Sequence, residues 1–216
     1  MPTRAMIIVG GGSSTRFGSD KLLAEVAGRP LIAHTIDAVA DHVDSCVVVC
    51  RPEILDEVVA IREGIIAAPG GATRTLSEMA GLAALGGEVD LIGIHDAARP
   101  AVEGALVDLL FSTAAEQGGA VPVVAPEKVI LDRKTHRPAM GLRLAQTPQV
   151  FRGPDLMSAY VKAARTGYEA HDTVEVMQRF AGVTIVAVPG DPANVKVTFP
   201  EDLDPVSETI RARSRT

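Results

Sequence analysis

The residues best suited to chemistry stand in a glycine-rich loop near the start of the chain. Gly10, Gly11 and Gly12 are followed by two cations, Arg16 and Lys21. Glycine lets backbone N–H groups approach a polyphosphate closely, and the cations can then neutralise its charge. The loop therefore indicates a nucleotide-handling enzyme; a glycine turn that only links a strand to a helix is the alternative.

Three polar residues elsewhere in the sequence could complete such a site. Asp96 could hold magnesium beside substrate phosphates, and Arg99 could bind a phosphate through two hydrogen bonds. Lys196 stands among apolar neighbours, where burial without an anion would be costly. The alternatives are that Asp96 caps the next turn and pairs with Arg99, and that Lys196 extends its amine to solvent.

A cage of Arg16, Lys21 and Lys196, with magnesium on Asp96, would suit phosphoryl or nucleotidyl transfer. Those reactions depend on positioning and on neutralising charge while pyrophosphate leaves. The five histidines are scattered, and none has an evident catalytic partner. No Ser/His/Asp set or cluster of metal ligands in the sequence competes with this interpretation.

Two familiar glycine motifs do not fit the opening loop. A P-loop is excluded because Ser19, and not lysine, follows Gly18. A dinucleotide fingerprint lacks its third glycine, whose place is taken by Thr15. Arg51, at the end of the second predicted strand, could suit a 2′-phosphate. An NADP-dependent reductase therefore stays as a distant alternative.

The elements that must position these residues alternate along the chain. Apolar, β-branched runs predict strands, and apolar residues at helical spacing predict helices between them. The predicted strands cover residues 5–9, 46–50, 65–68, 91–95, 120–124, 184–188 and, briefly, 194–197. The predicted helices cover residues 31–40, 54–61, 74–85, 105–116, 153–165, 172–180 and a segment that begins at Pro200. This order predicts an α/β fold with a largely parallel sheet, which binds ligands beyond the carboxyl ends of its strands.

One segment, at about 126–144, breaks this rhythm. Alternation around Val129 and Leu131 predicts a hairpin arm that projects from a single domain covering residues 1–216. Such arms often join two copies of a chain. A mobile surface hairpin is the alternative.

Composition narrows the class of protein. The 216 residues suffice for one domain, and the net charge of −6 argues against a nucleic-acid-binding surface. No apolar stretch is long enough to span a membrane. Cys46 and Cys50 would share one face of a strand but lie too far apart for a disulfide. We therefore expect reduced core thiols in a cytoplasmic protein with no nucleic-acid or membrane partner.

Several motifs taken together carry a family resemblance. They are residues 94–100 (IHDAARP), 146–151 (QTPQVF), 194–198 (NVKVT) and 200–203 (PEDL), with Gly70 and Gly71 followed by Arg74 and Ser77. Over essentially its whole length, the chain resembles 2-C-methyl-D-erythritol 4-phosphate cytidylyltransferases and their close relatives, the ribitol-5-phosphate cytidylyltransferases.

The resemblance implies a Rossmann-like nucleotidyltransferase fold, with a mostly parallel sheet flanked by helices, and a homodimer clasped by the β-arm. It implies CTP as cosubstrate and Mg²⁺ as metal. It gives catalytic roles to Arg16, Lys21 and Lys196, and substrate and metal contacts to Asp96, with Arg99 on the substrate. The nucleotide-binding residues that it implies are Gly10, Gly11, Gly12, Gly71, Ala72 and Ser77, the last three of which would read the cytosine.

The chain departs from this family's pattern mainly around the acceptor. The family's arm supplies a Thr and an Arg that grip the sugar phosphate of the neighbouring subunit. This chain has Lys128 and Ala139 at those positions, and Arg137 could replace the missing Arg. The family's Thr-Asp-Glu segment becomes residues 171–173 (HDT), so that Asp172 is the expected substrate contact there. Members of this family often have an acidic residue at the position that Ala72 occupies in this chain.

The expected reaction is transfer of CMP to a polyol phosphate. Methylerythritol phosphate is the expected acceptor, and ribitol phosphate or another polyol phosphate is the alternative. A molybdenum-cofactor-type guanylyltransferase and a non-catalytic regulator are the other interpretations of the same residues.

Overall fold

A mixed β-sheet runs through the protein, in a computed structural model that describes residues 1–11, 17, 20–137 and 139–214. The strands are β1 (Arg4–Val9), β2 (Glu25–Val26), β3 (Arg29–Pro30), β4 (Ser45–Cys50), β5 (Ile65–Pro69), β6 (Leu91–Asp96), β7 (Gly119–Val124), β8 (Leu144–Ala145), β9 (Gln149–Arg152) and β10 (Ile185–Pro189). The α-helices are α1 (Leu31–Ala40), α2 (Leu55–Val59), α3 (Arg74–Ala84), α4 (Gly104–Gln117), α5 (Gly153–Thr166), α6 (Thr173–Phe180) and α7 (Leu203–Arg213). Short 3₁₀ helices cover Lys21–Leu23, Pro52–Ile54 and Pro200–Asp202.

The strand order in the main sheet is β10-β7-β9-β6-β1-β4-β5, with β8 added beside β7. The pairs that join β5, β4, β1 and β6 are all parallel, as is the pair of β7 and β10. Strand β9 runs antiparallel to both β6 and β7. The chain winds outward from β1 in both directions, so the topology reverses between β1 and β6. A crevice at that reversal is where α/β sheets bind ligands.

Apolar residues cover both faces of the sheet. In β1, Met6 and Ile8 belong to one core and Ile7 to the other, as the alternation of side chains along a strand requires. Helices α1 and α4 pack on the first face, and α3, α5 and α6 pack on the second. The rigid sheet therefore holds the loops at its carboxyl edge in fixed relative positions.

The structure confirms the α/β fold with a mostly parallel sheet, and it corrects two local predictions. Residues 194–197 do not form the predicted short strand, because their backbone is bound by loops and side chains. Arg99 Nη1 donates to the Asn194 carbonyl at 2.7 Å, and the Val197 N–H donates to the Ala98 carbonyl at 2.9 Å. Strand β9 was not predicted, since its two adjacent apolar residues, Val150 and Phe151, are too few to give a local strand pattern.

The arm leaves the sheet after β7 and returns to it at β8. The Asp132 N–H donates to the Arg137 carbonyl at 2.8 Å, and the Ala139 N–H donates to the Ile130 carbonyl at 2.8 Å. These two bonds form a narrow hairpin without regular strands. Nearly all the described residues of this segment are exposed.

The two cysteines are free and buried, as the sequence predicts. Burial raises the pKa of Cys46 to about 12 and that of Cys50 to about 11, so both thiols stay protonated at neutral pH. Among the described residues, no helix combines the length and the apolar character that crossing a membrane requires.

Candidate active site

A cleft of about 640 Å³ opens at the carboxyl edge of the sheet, beside the point where the topology reverses. Loops that follow β1, β4, β5 and β6 form its walls, and the segment after β10 closes one side. The predicted site residues that line it are Gly10, Gly11, Lys21, Gly71, Ala72, Ser77, Asp96 and Lys196. Gly12 and Arg16 lie outside the described residues. The structure thus gathers residues that are far apart in sequence into one site.

Two glycines make the close packing of the cleft wall feasible. A Cβ atom on Gly11 would lie 2.8 Å from Ser77 Oγ, and one on Gly71 would lie 2.4 Å from Leu76 Cβ. A side chain at Gly11 would push the loop after β1 away from α3, and one at Gly71 would push the loop after β5 away from the first turn of α3. Small residues therefore let the loops after β1 and β5 meet, and they leave backbone groups uncovered at the cleft.

Ser77 shapes the loop that was predicted to read the base. Its hydroxyl accepts from the Gly71 N–H at 3.1 Å and donates to the Thr73 carbonyl at 2.9 Å. The side chain of Thr73 caps α3 by accepting from the Leu76 N–H, as the sequence predicts. With its proton engaged, the Ser77 hydroxyl can still accept a further hydrogen bond from a ligand but cannot donate one.

Asp96 lies at the end of β6 and gathers three cations. Its Oδ1 lies 2.7 Å from Arg74 Nη1; its Oδ2 lies 3.0 Å from Lys196 Nζ and 3.3 Å from Arg99 Nε. Burial alone would raise the pKa of Asp96, but these cations hold it well below its usual range. Asp96 is therefore ionised at neutral pH. The contact between Asp96 and Arg99 that the sequence analysis left open is present.

Lys21 approaches the same site from the opposite wall. Its Nζ donates to the Val197 carbonyl at 3.0 Å, next to Lys196. The preceding residue, Asp20, caps the 3₁₀ helix of Lys21 through the Leu22 N–H and forms an ion pair with Arg51. Arg51 is thus paired with a carboxylate of its own chain, which weakens the NADP alternative.

His95 and Thr147 fix the backbone of Asp96 through hydrogen bonds. The Thr147 hydroxyl accepts from the Asp96 N–H at 2.9 Å and lies 2.9 Å from His95 Nδ1. The Arg99 carbonyl, 3.2 Å from His95 Nε2, can only accept, so Nε2 carries the proton of the neutral ring and Nδ1 accepts from the Thr147 hydroxyl. Burial lowers the pKa of His95 to about 4, so the ring is neutral at pH 7. His95 is part of the scaffold and is not an acid or base of the cleft.

Gln146 and Asn194 fix the segment that carries Lys196. Gln146 Nε2 donates to the Asp191 carbonyl at 2.8 Å, and its Oε1 accepts from the Asp191 N–H at 3.2 Å. Asn194 Nδ2 donates to the Thr147 carbonyl at 2.9 Å. Two motifs that lie apart in sequence, 146–151 and 194–198, therefore form one hydrogen-bonded unit.

A second cavity, of about 410 Å³, adjoins the cleft. Arg99 and Lys196 lie between the sheet and the base of the arm, and Lys128 of the arm joins them in the lining. Apolar side chains of Ile130 and Leu144 complete the wall. Because Lys196 lines both cavities, a ligand in either one can meet its amine.

Two predicted substrate residues do not line either cavity. Arg137 is exposed near the tip of the arm, where its carbonyl binds the Asp132 N–H. The carboxylate of Asp172 accepts from the Glu175 N–H at 2.9 Å and so caps α6. The expected contact of Asp172 with substrate is not supported, because a helix cap occupies this side chain.

The site also contains residues that the sequence analysis did not single out. Arg74, at the start of α3, lines the cleft, and Glu78 lies one turn further along the helix. Their spacing of four residues is the signal that could have found them, because it places an opposite charge beside Arg74. Thr147 gave no comparable signal, since its partners come from a distant strand.

The residues present do not fit a preformed magnesium site. Asp96 is the one carboxylate among the described residues that line the cleft, and the described ranges hold no cluster of three or more metal-ligating side chains. Both oxygens of Asp96 already contact side-chain cations. A magnesium ion on Asp96 would share these oxygens with two or three cations that repel it, so the geometry gives no support to Asp96 as a metal ligand.

Comparison with known proteins gives a consistent result. A family model described as "IspD: 2-C-methyl-D-erythritol 4-phosphate cytidylyltransferase" matches residues 5–211. The chain is 35% identical over 212 residues to a bifunctional enzyme IspD/IspF of Bradyrhizobium sp. strain BTAi1, covering 92% of this chain and 54% of the relative. It is 36% identical to the bifunctional enzyme IspD/IspF of Rhodopseudomonas palustris strain BisB18, covering 92% and 53% respectively. The chain therefore spans about half the length of the curated relatives it matches.

Two solved structures extend the comparison to the fold. The 4-diphosphocytidyl-2C-methyl-D-erythritol synthase of Anaerococcus prevotii superposes with a TM-score of 0.84 at 23% identity, covering 97% of this chain and 99% of the other. The 2-C-methyl-D-erythritol 4-phosphate cytidylyltransferase of Thermus thermophilus gives a TM-score of 0.79 at 28% identity, covering 98% and 100%.

Proposed function

Because the chain belongs to the 2-C-methyl-D-erythritol 4-phosphate cytidylyltransferase family, we propose that it transfers CMP from CTP to a polyol phosphate. The acceptor that we propose is 2-C-methyl-D-erythritol 4-phosphate, and pyrophosphate is the second product. One observation supports this reaction above all. The cations of Lys21, Arg74 and Lys196 line a single cleft at the topological switch point.

In this reaction, a phosphate oxygen of the acceptor attacks the α-phosphorus of CTP. A new P–O bond forms on one side while the bond to the bridging oxygen of pyrophosphate breaks on the other. Negative charge accumulates on the α-phosphate and on the leaving group. Lys21 and Lys196 lie where their ammonium groups can neutralise that charge. Arg16, which lies outside the described residues, is proposed as a third such cation.

We place the acceptor in the second cavity. Arg99 and Lys128 would bind its phosphate there, and Lys196 would meet the α-phosphate at the boundary with the cleft. This placement accounts for the basic residue at position 128. Ribitol 5-phosphate is the alternative acceptor, because Lys128 and Ala139 depart from the family's pattern.

The loop of Gly71, Ala72 and Ser77 is proposed to bind the cytosine. The Ser77 hydroxyl can accept but not donate, which suits the amino group of cytosine. Uracil presents an acceptor at the same position, so UTP would leave that interaction unmade. The argument against a guanylyltransferase is a different one, because residues 95–100 and 146–151 match the cytidylyltransferase pattern.

Magnesium is proposed to arrive with the CTP phosphates. Bound in that way, it would supply further neutralisation of the triphosphate, which suits an ion that keeps several waters and few protein ligands. The cations around Asp96 would stay in place.

The arm is proposed to pair with a second copy of the chain. Met140, Val129 and Leu131 are 88%, 75% and 56% exposed on it. Large apolar groups exposed together are typical of an interaction surface.

A cytoplasmic location also stays a prediction, which the two reduced thiols support.

The experiment that tests the function measures pyrophosphate release from CTP and magnesium with either polyol phosphate. We expect turnover with 2-C-methyl-D-erythritol 4-phosphate, and we expect Lys196→Ala to lower kcat by about 10²- to 10³-fold, as loss of a transition-state charge contact does. Lys162→Ala serves as the matched control, because Lys162 Nζ binds the Phe180 carbonyl on another part of the surface. Turnover with ribitol 5-phosphate alone would mean that ribitol 5-phosphate, and not 2-C-methyl-D-erythritol 4-phosphate, is the acceptor. No turnover with either, despite CTP binding, would mean that the acceptor is another polyol phosphate, and failure across a panel of polyol phosphates would point to a non-catalytic protein.

A further inference from the structure

Arg74 joins two carboxylates that lie at different depths. Its Nη1 lies 2.7 Å from Asp96 Oδ1 at the cleft. Its Nε donates to Glu78 Oε1 at 2.9 Å, behind the cleft wall. Burial alone would lower the pKa of the Arg74 guanidinium, but the two carboxylates raise it. The guanidinium is thus a charged bridge between the interior and the site.

Glu78 is completely buried and its two oxygens are fully engaged. Thr173 Oγ1 donates to Oε1 at 3.1 Å, and the Tyr160 hydroxyl donates to Oε2 at 2.5 Å. Burial raises the pKa of Glu78, while Arg74 and the two hydroxyls favour its ionised form. A carboxylate in such a place is costly unless it is paired and hydrogen-bonded. Packing alone would be served better by an apolar side chain.

The amine of Lys196 depends on this arrangement. Its side chain is 42% exposed, so packing does little to fix it, whereas its Nζ lies 3.0 Å from Asp96 Oδ2. Asp96 can offer Oδ2 to Lys196 because Arg74 holds Oδ1. Release of Arg74 would leave Asp96 Oδ1 without its partner and only the longer contact of Arg99 Nε, at 3.3 Å, to hold the carboxylate beside Lys196. Asp96 could then rotate, and Lys196 would lose its fixed place.

We propose that Glu78 is a positioning residue, which fixes Arg74 and, through Arg74 and Asp96, holds the Lys196 amine in the cleft. Glu78 itself touches no ligand. Its effect on catalysis rests on the proposed function, but its effect on the geometry does not.

The test is Glu78→Gln, which keeps the shape of the side chain and removes its charge. We expect kcat to fall about tenfold or more while KM for CTP changes by less than about twofold, because a small displacement of a catalytic group acts on the transition state. The control is Tyr160→Phe, which removes a hydrogen bond from the same carboxylate but leaves Arg74 in place. It should lower the thermal midpoint as Glu78→Gln does, and its kcat should stay within about twofold of wild type.

A double-mutant cycle identifies the route of the effect. If Glu78 acts through Lys196, adding Glu78→Gln to Lys196→Ala changes kcat by less than about twofold. If the two losses multiply, Glu78 does not act through Lys196 and the proposal is wrong.

Crystal structures of the ligand-free wild type and of Glu78→Gln give a readout that does not depend on the reaction. We expect the distance from Lys196 Nζ to Asp96 Oδ2 to exceed a hydrogen bond in the variant. An unchanged contact would overturn the proposal. Should Glu78→Gln not fold, Arg74→Lys is the substitute, because a single lysine nitrogen replaces the two separate nitrogens, Nε and Nη1, that face Glu78 and Asp96. The same displacement is expected. Absence of turnover in the wild type would refute the proposed function, and the structures would still decide the role of Glu78.

Discussion

Asp96 illustrates how one buried carboxylate orients several cationic side chains. Each of its oxygens has assigned partners, Arg74 on one side and Lys196 with Arg99 on the other. Its backbone N–H is fixed as well, by the Thr147 hydroxyl. A carboxylate held in this way gives a cleft that is organised before the ligand binds, which is the condition for electrostatic catalysis.

His95 makes the stability of the protein depend on pH. Burial lowers the pKa of His95 to about 4, whereas in the unfolded chain the ring keeps its ordinary value near 6.5. The unfolded state therefore binds more protons in this window, and stability falls as the pH is lowered. We expect a loss of about 3 kcal/mol in the free energy of unfolding between pH 6.5 and pH 4 from this residue. Denaturant unfolding at a series of pH values measures it.

The comparison that isolates this effect is between His95→Asn and the wild type. Asp96, with a lowered pKa, begins to lose its contribution to stability as the pH falls below about 5, whereas Glu78, with a raised pKa, stabilises the protein as the pH falls toward 4.5. Both carboxylates are present in the two proteins, so the comparison removes their effects. The wild type should lose more stability than His95→Asn across the window. His136→Asn, on the exposed arm, should keep the wild-type slope. Equal slopes in the wild type and His95→Asn would contradict the neutral, buried imidazole.

At the scale of elements, α3 carries much of the site and lies very close to the sheet. A Cβ atom on Gly81 would lie 2.3 Å from Ile7 Cγ2 and 3.0 Å from Val49 Cγ2. Both partners are β-branched and fully buried, so neither can move aside without disturbing the core. The glycine thus sets the depth at which α3 holds Ser77 and Glu78.

We predict that Gly81→Ala destabilises the protein by about 1–3 kcal/mol, as overpacking of a core does, despite the better helix propensity of alanine. Thermal unfolding monitored by circular dichroism measures the change. Gly87→Ala is the matched control, since a Cβ atom there meets nothing within 4 Å. If the two variants have the same midpoint, the close approach of α3 to β1 is not as the structure describes it.

The sequence predicted elements well where a local pattern decides them. The periodicity of residues 31–40 matches α1, and Thr73 caps α3 as predicted. Strand β9 was missed because its neighbours in the sheet, β6 and β7, supply its hydrogen bonds, and no local pattern reveals them. The prediction for residues 194–197 was wrong for the converse reason. The two valines beside Lys196 are typical of a strand, but residues 194–197 have no neighbouring strand to pair with in the part of the chain that the structure describes.

At the scale of the whole molecule, the sequence predicted which loops meet at the site. It did not predict the hydrogen bonds and ion pairs that connect the site residues to the interior. The rule that ligands bind beyond strand ends brought Lys21, Asp96 and Lys196 together from the sequence. The spacing of four residues could have paired Glu78 with Arg74, but its other partners, Tyr160 and Thr173, lie 82 and 95 residues away and gave no signal. The substrate role expected of Asp172 came from a resemblance and stays a prediction, while the structure adds that one of its carboxylate oxygens caps α6.

We predict that the arm makes the protein a dimer in solution. Val129→Ser combined with Met140→Ser should shift the protein toward monomer in sedimentation velocity and leave the unfolding midpoint unchanged, because both side chains are exposed in the single chain. Leu109→Ser, an exposed apolar position on α4, should leave the assembly as it is. A wild type that sediments as a monomer at micromolar concentration would refute the arm-mediated dimer.

The cluster of cations around Asp96 also governs how fast an anion is captured. The chain carries a net charge of −6, so at long range it repels a triphosphate. At physiological ionic strength that repulsion is screened beyond about 8 Å, whereas the cations of Arg74, Lys196 and Lys21 act within that distance. An acidic protein can therefore recruit an anionic substrate quickly, because the ions of the surrounding solution hide its overall charge and leave the cleft to attract the substrate.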